Sequence, residues 1–351
     1  MLSGIRSLVF AALATAFYGA AAITLGQIDD FQDGTLQFWQ GGADLQNIAN
    51  GGPAGTGDRY LQVTSTGGTG PGSVPATFNT FQWSGDYSTA GVKAVEVWMN
   101  NTGANDLHMR IVLFGPLGSR WTSANATILP VGSGWRRVTF LLNQASLVRT
   151  LGSESYSNMI SGVTSMMFRH DVAPPGSGGD PVVGQIGLDN ILALEGARVL
   201  PNFYQVFRGF YQSGGVEQLA ASDDDYIVVQ RGIIAVPTES PVTLIVKGTA
   251  PLQAPASMKL KFETRANTVN IQQRVDVFNY TTGSWTLNVD VRNLATSDST
   301  FEITLPGNPA DYVQDSDGEV QVRFRCKENG IVGVANWRIF FDYIGWTQIP
   351  S

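Results

Sequence analysis

One cysteine, Cys326, and two histidines, His108 and His170, are all that the 351 residues hold of those types. A single thiol excludes an intramolecular disulfide, and so few soft ligands exclude a Cys/His metal cluster. The neighbours of Cys326 mark a strand, so a buried inert thiol is expected there. Charged residues form only 15% of the chain, well below the usual share of about a quarter, which argues against long solvated helices. No Lys/Arg cluster interrupts a net charge of -7, so the basic field that a phosphate backbone needs is missing and no nucleic acid is expected as partner. Also absent are a Gly-x-Ser-x-Gly elbow, a His-Glu-x-x-His pair, a P-loop and a closely spaced carboxylate set along one strand. Two histidines leave a Ser-His-Asp triad few ways to assemble. A catalytic role is therefore not expected.

What is present is glycine, 40 residues of it, with a hydrophobic share of 43%. That combination points to many short strands joined by turns, with enough apolar mass for a core. The length suits about two domains of roughly 150 residues each. Met1–Ala22 reads as a secretory signal peptide: Arg6 opens it, Leu8–Ala14 is its apolar centre, and Ala20-Ala21-Ala22 offers small residues for cleavage. The apolar run is short for a membrane span, and no later segment is long enough. The expected location is secreted or at the cell surface.

From residue 23 to 196, short alternating runs are separated by Gly, Pro, Ser and Asn. Strands are expected at Tyr60–Thr64, Ala94–Asn100, Leu107–Phe114, Trp135–Asn143, Ser165–His170 and Gln185–Leu194, with a helical or irregular Gln144–Met159. Ala197–Asn202 reads as a linker. A second β-rich unit, 203–351, carries expected strands at Asp225–Gln230, Val242–Lys247, Ser257–Thr264, Ile271–Asn279, Trp285–Val291, Thr300–Leu305, Val320–Lys327 and Trp337–Trp346. The fold class is all-β, two jelly-roll-like β-sandwich domains in tandem. Asp189 stands alone among Ile186, Leu188 and Ile191, and a buried carboxylate is costly unless paired or bound to a cation. Asp342-Tyr343-Ile344 echoes Asp189-Asn190-Ile191 in the last strand of the second unit.

Residues 27–195 resemble a galactose-binding-like jelly-roll module of the carbohydrate-binding-module type found in exported bacterial proteins. The match is carried by Asp29-Asp30-Phe31-Gln32-Asp33-Gly34-Thr35-Leu36-Gln37-Phe38-Trp39, by Asn50–Leu61, by Gln82-Trp83-Ser84-Gly85-Asp86-Tyr87 and by Gly187-Leu188-Asp189-Asn190-Ile191. The second unit resembles a domain of exported planctomycete-type proteins. The resemblance implies a structural Ca²⁺ that ties the first strand to the last, held by Asp30 or Asp33, Asp58 and Asp189 with carbonyls of the Gly51–Gly57 loop. Gln32 departs from the pattern, since many such modules carry Glu there. The structural alternative is that Asp58 caps a turn and Asp189 bonds to backbone N–H groups.

Alternation suggests a ligand platform. Glu96 and Trp98 oppose Val95, Val97 and Met99; His108 and Arg110 oppose their apolar neighbours; Arg169 opposes Phe168. Were the three strands neighbours, Glu96, Trp98, His108, Arg110 and Arg169 would share one outward face with the stacking and hydrogen-bonding groups of a glycan site. Trp83 and Trp121 would extend it. The alternatives are a covered Trp98 and a plain Arg–Glu pair. The expected partner is a polysaccharide or other glycan. A structural or adhesive protein contacting other envelope proteins is the second reading, and a lyase using His108 as base beside Arg110 the third. Asp223-Asp224-Asp225 is either a solvated turn or a weak second cation site.

Overall fold

The computed structural model describes residues 22–233, 236, 238–329 and 336–351. The expected signal peptide, apart from Ala22, lies outside the described residues.

The chain forms two antiparallel double sheets in tandem. In the first domain one sheet, called front here, runs in the order Arg136–Leu141, Ala94–Asn101, Val183–Leu194, Tyr60–Thr66, Asp44–Ile48, and Ile28–Asp29 also pairs with Val183–Leu194. The back sheet runs Leu147–Leu151, Arg120–Ser123, Leu107–Phe114, Ser165–His170, Ala76–Asn79, Gln40–Gly41, with Thr127–Leu129 on Leu107–Phe114. The chain crosses between the two sheets several times, as in a jelly roll. The inward members of each strand, such as Leu61, Val63, Val97, Met99, Ile111, Leu113, Phe168 and Ile186, meet in one core. That burial follows directly from the period of two in the sequence.

The second domain repeats the plan. Phe210–Ser213, Ile227–Gln230, Arg338–Ile349, Ser257–Ala266 and Thr300–Thr304 form one sheet. Pro201–Arg208, Val242–Thr249, Glu319–Glu328, Ile271–Asn279 and Ser284–Asn293 form the other. Cys326 is buried between them, and burial pushes its thiol pKa up.

Two segments differ from the sequence expectation. Ala197–Asn202 is not a slack linker: Ala197–Val199 pairs with Trp346–Gln348, Val199 enters the second core, and Pro201 begins the next strand. A three-residue strand is too short to show a period. Gln144–Met159 divides into a 3₁₀ turn, the edge strand Leu147–Leu151 and a short helix, Tyr156–Ile160.

The junction is polar and close. Arg198 pairs with the buried Glu96, Lys93 Nζ donates to the Pro350 carbonyl at 3.1 Å, and Lys259 pairs with Glu195 at 2.7 Å. Gly196 has no room for a side chain, because a Cβ there would strike the backbone of Gln348.

Candidate functional site

The five residues expected on one face are divided between two sheets. Leu107–Phe114 and Ser165–His170 are indeed neighbours, with Arg110 opposite Arg169, but Ala94–Asn101 belongs to the front sheet. Alternation assigns a side chain to a side of its strand and says nothing of which sheet the strand joins. Glu96 and Trp98 therefore point away from His108, Arg110 and Arg169.

The back-sheet group is built into the protein. Arg110 and Arg169 are each 1% exposed. Arg110 donates to the carbonyls of Asp171, Ser123 and Ala124 at 2.8, 2.7 and 2.8 Å. Arg169 pairs with Asp171 at 2.7 Å and donates to Gly176 and Ser177 carbonyls of the Pro174–Asp180 loop. His170 Nδ1 accepts the His108 N–H at 2.9 Å, and burial lowers the His170 pKa. A fully covered guanidinium held by carbonyls or by a carboxylate makes a strut, not a sugar contact. Trp83 and Trp121 are likewise core residues, 0% and 7% exposed. The Trp83 indole donates to Asp29 Oδ2 at 2.7 Å, and Trp121 packs edge-on against Tyr156 at 5.7 Å. Glu96 is occupied at the domain junction by Arg198 and, at 3.7 Å, by Arg137.

Of the five, Trp98 and His108 are half-buried: His108 stands on the back sheet beside the two arginines, and Trp98 on the outer side of the front sheet. Its surroundings were not foreseen. Register places Trp98 beside Asp189 and Arg137, and Gly187 between Gln62 and Asn100. Gly187 lacks the side chain that would fill the middle of this face. A Cβ there would lie 2.8 Å from the Trp135 ring and 3.1 Å from the Tyr60 ring. Those rings meet edge-to-face at 5.2 Å, and Trp135 Nε1 donates to the Gly51 carbonyl at 2.8 Å, which fixes the indole. Gln62, Gln185 and Asn100 are half-buried around them, with Gln46 exposed beside Gln62. Three aromatic rings beside amides that both donate and accept can stack on pyranose faces and match hydroxyl groups. The signal for Tyr60 and Gln62 was present in Tyr-Leu-Gln-Val-Thr, where Leu61 and Val63 mark the opposite side. Trp135, the first residue of an expected strand, stands just ahead of Arg136–Leu141, and only its contact with Tyr60 across the face marks it as part of the site.

Next to this face lies the acidic corner. Asp189 is fully buried at a bulge, followed by Asn190 at φ 49°, a left-handed conformation that Asn tolerates. Its Oδ2 accepts from the Asn190 side chain at 3.0 Å, while Oδ1 has no partner among the described residues. Burial, with added repulsion from Asp58 and Asp30, pushes its pKa up to about 7. Gln32 Nε2 sits among three oxygens: Asp58 Oδ1 at 2.7 Å, the Asp30 carbonyl at 3.0 Å and the Arg59 carbonyl at 3.3 Å. Asp58 also accepts the Ala54 N–H at 2.7 Å, so it does close the Gly51–Gly57 turn. Asp33 turns away and holds Thr35 N at 2.8 Å, a bond that lowers its pKa. Among the described residues no three acidic, His or Cys side chains converge into a metal cage. Any cation here would therefore draw on carbonyl oxygens as well. The orphaned Asp189 oxygen and the oxygens around Gln32 are a donor set of the hard type that Ca²⁺ takes.

The sequence reading missed Asp29. This buried carboxylate accepts from Trp39 Nε1 at 2.8 Å, Trp83 Nε1 at 2.7 Å and Gln82 Nε2 at 3.0 Å.

No family model matches the sequence, and no curated protein matches it. Among solved structures, an exo-beta-agarase aligns at 12% identity and TM-score 0.36, covering 48% of this chain and 25% of the agarase. The chain thus spans about a quarter of that enzyme. The tandem CBM22-1-CBM22-2 domain of Paenibacillus barcinonensis Xyn10C aligns at 12% identity and TM-score 0.29, covering 93% of this chain and 99% of that one. A family 11 carbohydrate-binding module from Clostridium thermocellum, solved with a beta-1,3-1,4-mixed-linked tetrasaccharide, aligns at 19% identity and TM-score 0.33, covering 49% and 98%.

Proposed function

We propose that the protein is an exported, non-catalytic glycan-binding protein that holds a polysaccharide on the outer face of the first domain's front sheet. The observation that carries this reading is the trio Tyr60, Trp98 and Trp135 ranged about a side-chain-free Gly187, with Gln62, Gln185 and Asn100 alongside. An open sheet face with fixed rings and neutral amides suits an extended, uncharged chain. Native affinity electrophoresis of the whole protein against xylan, mixed-linked glucan and agarose tests it. Retardation by at least one polymer is expected, and Trp98→Ala should weaken it at least about tenfold, the equivalent of ~1.4 kcal/mol. No retardation by a broad panel of neutral polysaccharides, or binding untouched by Trp98→Ala and Trp135→Ala, would refute the reading.

The acidic corner has a matching role. Two carboxylates, Asp58 and Asp189, with the Asp30 and Arg59 carbonyls would hold Ca²⁺ in the place that the Gln32 amide now takes; the Asp30 and Asp33 carboxylates are left out. A bound cation would supply the positive charge that the orphaned Asp189 oxygen lacks, and would tie the first strand to the last. Calorimetry in Ca²⁺ and in EDTA tests this, and an unchanged melting temperature would remove the metal from the account.

One observation favours the adhesive reading. Phe203, Phe207, Phe210 and Tyr211 are 47%, 59%, 51% and 50% exposed on two edge strands of the second domain. Exposed edges with apolar side chains invite pairing with another chain. Concentration-dependent mass that Phe207→Ser abolishes would support it.

A further inference from the structure

The second domain carries a face of the opposite electrical character. Along Glu319–Glu328, Val320, Val322, Phe324 and Cys326 enter the core, so Gln321, Arg323, Arg325 and Lys327 point outward. The neighbouring strand sets Asp276 opposite Arg323, Arg274 opposite Arg325 and Gln272 opposite Lys327. Asp276 binds both Arg323 and Arg325, at 2.7 and 2.6 Å. Arg274 reaches only the Gln272 side-chain oxygen, at 2.9 Å. Among the described residues neither Arg274 nor Lys327 has an acidic partner.

Arg274 directly across from Arg325 is a like-charge pair, which costs stability unless an anion offsets it. Four cations and one carboxylate, Asp276, thus make up the middle of this face in a chain whose net charge is -7, while Glu319, at the far end of the row, is paired with Lys247 at 2.9 Å. Aromatic rings border the row. Trp285 stands opposite Phe278 with ring centres 5.3 Å apart, and the Arg323 guanidinium lies 4.3 Å from the Trp285 ring. At the other edge Lys247 lies 5.7 Å from the Phe203 ring.

We propose that this face binds an acidic polysaccharide, an extended chain of carboxylated sugars. Alternate residues of a strand are about 7 Å apart, so Arg323, Arg325 and Lys327 form a line about 14 Å long. Guanidinium forks meet carboxylates in pairs, and the bordering Trp285 offers a stacking surface to a sugar ring. A nucleic acid suits the site less well, because its dense phosphates respond to the long-range field, and that field is negative.

The test is affinity electrophoresis of the whole chain against polygalacturonate, alginate, a neutral mixed-linked glucan and duplex DNA. Polyuronate retardation is expected at about 50 mM salt and should fade near about 500 mM, as an ion-driven contact does. The double variant Arg274→Ala, Lys327→Ala keeps the Asp276 pairs and relieves the Arg274–Arg325 repulsion, so it should fold with a melting temperature no lower than the parent's and lose polyuronate binding at least about tenfold. Arg274→Gln alone should lose part of it. Trp98→Ala, which disables the first-domain face, should leave polyuronate binding as it was. The proposal falls if neither polyuronate retards the protein, if the double variant binds as well as the parent, or if DNA is bound as strongly.

Discussion

Asp189 in the first domain and Asp276 in the second are both fully buried, and the two are treated in opposite ways. Asp276 is met by Arg325, the Asn288 N–H and Arg323; burial alone would raise its pKa, but these partners outweigh it and hold it below the usual carboxylate range. Asp189 has burial, helped by the fields of Asp58 and Asp30, against only a bond from its neighbour Asn190, so its pKa rises to about 7. The first charge is neutralised inside the fold, and the second is left waiting. A buried acid with two arginines is a finished structural joint, whereas one with a single amide partner keeps the cost of its burial.

The comparison breaks most sharply at Asp276. Asp276→Ala strands two half-buried guanidinium groups on one sheet and should cost about 3 kcal/mol or more, read by denaturant unfolding of the second domain. At Asp189 the sign reverses. With its pKa raised in the folded state, Asp189 makes the metal-free protein lose stability as pH climbs from about 4, where the unfolded carboxyl ionises, to about 7. Asp189→Asn should therefore stabilise the calcium-free protein at neutral pH by up to about 3 kcal/mol and flatten that part of the profile. A melting curve of the variant that still falls over this interval as the parent's does would contradict the argument. Gln32→Glu is the finer probe. It replaces the amide donor with another carboxylate, so it should lower the melting point in EDTA by roughly 1 kcal/mol equivalent and enlarge the rise on adding Ca²⁺.

Much of the fold could be read from alternation. Leu107–Phe114, Ser165–His170 and Ile271–Asn279 appear with the expected ends, because each alternates long enough for one side to be unmistakable. Gln40–Gly41, Thr127–Leu129 and Phe210–Ser213 escaped, being short edge or accessory strands whose pairing is decided by distant partners. The same limit governs the site. The isolation of Asp189 was visible in the sequence, since one charge in an apolar run has few explanations. The division of Trp98 from Arg110 was not, because sheet membership is a long-range property. Nor was the role of Trp83, which looked like a turn residue available to solvent. Only the approach of Asp29 from another strand makes its indole a core donor.

The close junction has a mechanical meaning. Glu96, which grips Arg198, is two residues from Trp98 on the same strand, and the backbone leaving the first sandwich is stitched at once to the final strand of the second. A load applied to a polymer held at Trp98 would pass into the neighbouring sandwich through hydrogen-bonded backbone, not through a tether that first has to be drawn taut.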